Sequence, residues 1–110
     1  MMPPRKPKPK RYPPLPKLVQ GAGGPIEVAV VAKVAVEAGE DDHVLGCFRP
    51  TIRRIEVLKE LRGDQRWLVF YHELVHAALW DSGAANAMNE QVQEIVCDSV
   101  AVGLLRSRFG

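Results

Sequence analysis

The sequence predicts an α+β fold, and three observations predict it. From Ile26 the chain alternates apolar and polar residues with period two, the signature of a half-buried strand. Residues 65–80 and 89–101 instead carry apolar side chains at helical spacing, without Pro or Gly. All the extended runs precede both helical ones, which is the order of a layered sheet-then-helix domain rather than an alternating one. The expectation is a sheet of about three strands packed on two helices.

Taken in order, residues 1–17 hold seven prolines and six of the 15 Lys and Arg, with no acidic residue before Glu27. Such a stretch cannot bury a core, so residues 1–20 read as a disordered basic Pro-rich tail and residues 21–110 as the folded domain. Ile26, Val28, Val30, Ala32, Val34 and Val36 make one face of a long strand running to Glu37. Residues 38–42 are a polar turn cluster. A second strand spans residues 44–48, ended by Pro50, and a third spans residues 51–57. Asp64 is placed to cap a helix over residues 65–80, with Leu68, Tyr71, Leu74, Val75, Ala78 and Leu79 as its buried stripe and Asp81-Ser82-Gly83 as its stop. The short link over residues 81–88 brings a second helix alongside. No run is apolar for long enough to span a membrane.

Residues 72–76 read His-Glu-Leu-Val-His. On a helix His72 and His76 are one turn apart and can close on one cation, while Glu73 projects to nearly the same side. This is the HExxH arrangement of zinc hydrolases: two neutral imidazole ligands and one general base. A catalytic zinc needs a further protein ligand, and no His lies downstream of His76. The candidates are Glu90, Glu94 and Asp98, a carboxylate stripe spaced by four, with Cys97 a weaker donor. Alone, that stripe would be read as a solvated helix face; beside residues 72–76 the ligand reading prevails.

Glu94 and Asp98 also form the pattern ExxxD. With the histidine pentad it makes the chain resemble the gluzincin metallopeptidases, and in size the small zincin domains of phage and bacterial genomes and the peptidase domain of ImmA/IrrE-type regulators. The resemblance implies that His72, His76 and Glu94 hold Zn2+, and that Asp98 orients one ligating His through its other ring nitrogen. It also implies that an edge strand binds the substrate backbone as an added strand, a role that falls to residues 51–57. Larger gluzincins place a His, Tyr or Arg of a C-terminal subdomain at the developing oxyanion. Nothing equivalent follows Glu94, which leaves Tyr71, His43, Arg49, Arg53 and Arg54 as substitutes.

The function expected is therefore a zinc-dependent peptidase that acts on a protein or peptide through a metal-activated water, with Glu73 as catalytic base. The alternative is a catalytically weak or inactive metal-stabilised binding module. A closed site of Cys47, Cys97, His72 and His76 is disfavoured, because Cys47 has no neighbouring Cys and Glu73 would have no task. The basic start is followed by prolines rather than an apolar core, so nothing resembles a secretory signal. Two cysteines in that context suggest reduced thiols and a cytoplasmic setting. Residues 21–110 are acidic overall, and the tail is wholly basic. Disorder is its simplest reading, and nucleic acid contacted through residues 5–17 is the partner such charge would suit.

Overall fold

The computed structural model describes residues 12–34 and 44–110. Among them are four strands, β1 (Leu18–Gly21), β2 (Gly24–Val31), β3 (Gly46–Arg49) and β4 (Arg54–Leu58), followed by helices α1 (Gly63–Ser82) and α2 (Glu90–Phe109) joined by a 3-10 turn at Ala84–Ala87. The sheet order is β1-β2-β4-β3, with β2 and β4 parallel and the outer pairs antiparallel. The α+β class holds, with four strands in place of three.

The differences have local causes. β1, of which all but Gly21 was assigned above to the tail, pairs with β2 through the turn at its Gly-rich end; a four-residue strand after a run of prolines shows no period in the sequence. Tyr12 and Leu15 also pack on the core, and the Trp67 indole N–H donates to Pro13 O at 2.7 Å. The described part of the expected tail is thus bound to the domain. β2 stops at Val31 because its parallel partner runs out: Val31 faces Leu58, the last residue of β4. The stretch 35–43, with Val36, Glu37, the polar turn and His43, lies outside the described residues.

The third strand begins at Arg54 rather than Thr51, since Pro50 to Arg53 form a turn in which Arg53 N–H donates to Pro50 O and Arg53 takes φ 50°. A non-Gly residue in that left-handed region needs support, and Asp81 at the end of α1 supplies it. The Arg53 guanidinium reaches the Asp81 carboxylate at 2.7 and 3.0 Å and also donates to Gly24 O at 3.0 Å. Gly23 N–H donates to the same carboxylate at 2.9 Å, so one side chain ties both strand turns to the helix. The Asp81 carboxyl is held below the usual range, first by the Arg53 hydrogen bonds and then by Gly23. A depressed folded pKa contributes stability above the unfolded value of about 3.9 and loses it as pH falls through the folded one. Asp81→Asn should therefore melt below the parent chain at pH 7, and the gap should close as thermal unfolding is followed at successively lower pH below about 4.

Inner-face residues Ile26, Ile55 and Val57 are fully buried against α1, together with Trp67, Phe70, Tyr71 and Ala77 of the helix. Each of the buried Ile, Val and Phe side chains contributes roughly 1.5–3 kcal/mol. The outer ladder of Arg49, Glu56, Arg54 and Glu27 is a weaker influence, since its more exposed pairs are worth about 0–1 kcal/mol each. Packing rather than charge thus sets where α1 lies. Ala78, expected in the stripe, is exposed, whereas Trp67, Phe70 and even Glu73 are buried. The reason is that α1 is sandwiched between the sheet and α2, so its buried arc is wider than one stripe. Arg62 rather than Asp64 precedes the first turn, its N–H donating to the Gln65 side chain at 3.3 Å. Gly83 closes the helix at φ 80°, a left-handed position suited to glycine. α2 is capped by Asn89, whose Oδ1 accepts from Val92 N–H at 2.8 Å.

Candidate metal centre

The two histidines of α1 project between α1 and α2, where the second helix presents Gln93, Glu94 and Asp98. His72 Nε2 and His76 Nε2 are 3.1 Å apart. Glu94 spans them, with one carboxylate oxygen 3.1 Å from His72 Nε2 and the other 2.8 Å from His76 Nε2. The opposite ring nitrogens are engaged as well: His72 Nδ1 meets Asp98 Oδ1 at 2.7 Å, and His76 Nδ1 meets Gln93 Oε1 at 2.9 Å.

Asp98 and the Gln93 oxygen are acceptors, an arrangement that suits the tautomer with a hydrogen on each Nδ1. A neutral imidazole has only one, and both Nε2 atoms then turn lone pairs toward each other and toward a carboxylate. Two ring nitrogens and the two oxygens of one carboxylate, 2.8–3.1 Å apart, bring together lone pairs that a cation, a shared proton or a metal, would bridge. A tetrahedral ion with bonds of ~2.0–2.1 Å keeps its ligands ~3.3–3.4 Å apart. The Nε2–Nε2 separation of 3.1 Å needs to open by only a few tenths of an ångström to match that spacing. Among the described residues His72, Glu73 and His76 form one group able to hold a metal and His72, Glu94 and Asp98 another; they share His72, and a site of His72, His76 and Glu94 draws on both. The side chains of Glu94 and Asp98 are half or more exposed, which leaves the centre open to solvent on the α2 side.

Glu73 is the buried member. Its carboxyl sits under β3 and accepts from the Phe48 backbone N–H; burial pushes its pKa up, while His76 and His72 pull it down and Glu94 adds to the rise. A carboxyl so raised is a better proton acceptor than an exposed one. The strand can come this close because residue 46 is glycine: a Cβ there would lie 2.4 Å from Val69 Cγ1 and 3.4 Å from Glu73 Cγ. β3 is also the sheet edge on this side, whereas residues 54–58 are paired on both sides. The substrate-binding edge expected at residues 51–57 therefore cannot be there, and β3 is the edge that borders Glu73.

The remaining candidates go elsewhere. Glu90 is exposed at the start of α2 and joins no metal-capable group. Cys97 is fully buried, and its thiol is pushed up to about 12, by desolvation first and by Glu94, Glu73 and Asp98 after it. A thiol that resists ionisation is a poor ligand, and neither cysteine is in a disulfide. Tyr71 is core, and Arg49, Arg53 and Arg54 bond to Glu56, Asp81, and Glu27 with Glu56, respectively. Gln93 and the Phe48 N–H were not foreseen. A glutamine on a helix face carries no signal of its own, and a backbone donor carries none at all.

A larger cavity of about 680 Å³ lies away from this centre, between residues 12–17 and the start of α1, and holds no metal-capable group. No helix among the described residues is long and apolar enough to cross a membrane. No family model matches the chain, and no curated protein or solved structure matches it either.

Proposed function

We propose that the protein is a zinc-dependent peptidase of gluzincin type, with His72, His76 and Glu94 as ligands and Glu73 as general base. The observation that carries this reading is the meeting of three lone-pair donors from two helices beside a buried carboxylate. Two imidazoles and one carboxylate are the donor set of a catalytic zinc, and they leave a position for water and substrate. When bound, zinc supplies Lewis acidity that polarises a carbonyl and acidifies water. Asp98 and Gln93 keep both imidazoles in the tautomer that offers Nε2. Glu73 takes a proton from the attacking water and returns it to the leaving amine nitrogen, so the carboxylate is regenerated each turnover.

One observation favours a second reading, a metal-stabilised binding module. The arginines and the tyrosine that could assist an oxyanion are occupied by carboxylates or buried in the core. Hydrolysis of an unfolded protein substrate distinguishes the two. A peptidase should lose cleavage in a chelator and recover it on adding about one equivalent of zinc. A chain that regains zinc and thermal stability but cleaves nothing is the module.

A further inference from the structure

We infer that Trp80, Phe48 and Pro50 form a pocket for an aromatic or large aliphatic side chain on the amino side of the bond that is cut. The inference rests on the peptidase reading and adds the substrate class to it. Two cavities flank Glu73. One, of about 330 Å³, lies beside His72 and is bordered by Leu45, Leu68 and Val69. The other, of about 300 Å³, lies beside His76 and is bordered by Phe48, Pro50, Trp80 and Gln93. They share only Gly46 and Glu73, so a bond presented to Glu73 has one cavity on either side.

The direction of the peptide follows from the sheet. Leu58 N–H donates to Leu45 O, which turns the main-chain groups of Leu45 toward β4 and, by alternation, those of Gly46 away from it. An extended peptide can pair there with Gly46, the neighbouring Phe48 N–H being already given to Glu73, and antiparallel pairing keeps the sense of the β4–β3 ladder. β3 runs from Gly46 beside His72 to Phe48 and Pro50 beside His76. An antiparallel peptide runs the other way, so its amino side reaches the Trp80 cavity.

Trp80 makes this cavity selective. It lies one helical turn beyond His76, and the residue is 56% exposed, unlike Trp67, which sits in a cluster with Phe70, Tyr71 and Phe109. Among the described residues no ring contact or hydrogen bond holds the indole. A large side chain seated between Trp80, Phe48 and Pro50 would cover that surface, and no charged side chain but Glu73 borders the cavity, His76 aside.

The test uses zinc-loaded chain and peptides differing only in the residue before the cleaved bond. Phe and Leu should exceed Ser by about 10- to 100-fold in kcat/KM, the range set by filling an apolar pocket. Trp80→Ala should flatten that preference, mainly through KM, and Trp80→Phe should restore much of it. Binding provides a second readout: the Phe peptide added to zinc-loaded Glu73→Gln should blue-shift tryptophan emission, and the shift should vanish when Trp80→Phe is added. Selection on the carboxyl side only, or a preference unchanged in Trp80→Ala, overturns the pocket while leaving the peptidase intact. If no peptide is cut by the parent chain or bound by Glu73→Gln, both readings fall.

Discussion

Glu94→Ala should release zinc from the chain. It removes one of the three proposed donors and leaves two imidazoles whose Nε2 atoms lie 3.1 Å apart. Asp98→Ala should act less strongly, by ~10- to 100-fold in affinity, because it frees only the far nitrogen of His72. Glu90→Ala should leave metal content unchanged, as Glu90 is an exposed carboxylate in the first turn of α2 worth about 0.3–1 kcal/mol to the helix. Elemental analysis of the three purified variants, with a competitive chelator titration, gives the order directly. Zinc retained at one per chain in Glu94→Ala but lost in Glu90→Ala would overturn the ligand assignment.

Glu73→Gln should abolish hydrolysis while keeping the metal. The substitution preserves shape and removes the proton acceptor, and general-base catalysis is worth roughly 10²- to 10⁴-fold. Because the burial that raises the Glu73 pKa disfavours its charge, a neutral amide also suits the site under β3. The variant should therefore fold normally and contain zinc at the parent level, so that a loss of rate reports chemistry rather than structure. Equal hydrolysis by the two chains, with metal content matched, would remove Glu73 from the mechanism.

How much of this was legible in the sequence depends on whether a feature is written locally. The helix bearing residues 72–76, the Gly83 stop and the helix bearing Glu94 and Asp98 could all be read, because spacing along one helix fixes which side chains share a face. The meeting of Glu94 with both imidazoles depends on how two helices pack, and it entered only through a resemblance to other proteins. β1 escaped notice because four residues contain too few alternations to show a period. The sheet order escaped too: nothing in the residues of β4 says that it lies inside and β3 outside. The Arg53 turn required Asp81, 28 positions away, to be recognised as its support.

The contact of Tyr12 with Phe109, rings 4.8 Å apart at 66°, bears on the order in which the chain assembles. Residues 97 positions apart in the sequence thus dock on one another. β2 likewise waits for β4, since Glu27 pairs with Arg54 and Val31 with Leu58. Parallel pairing across such an interval is slow compared with the closing of neighbouring helices. The α1–α2 hairpin, which carries all the proposed donors, is by contrast local. Should that hairpin form ahead of the sheet, the apolar face of β2 would stay uncovered until Trp67 of α1 packs on it.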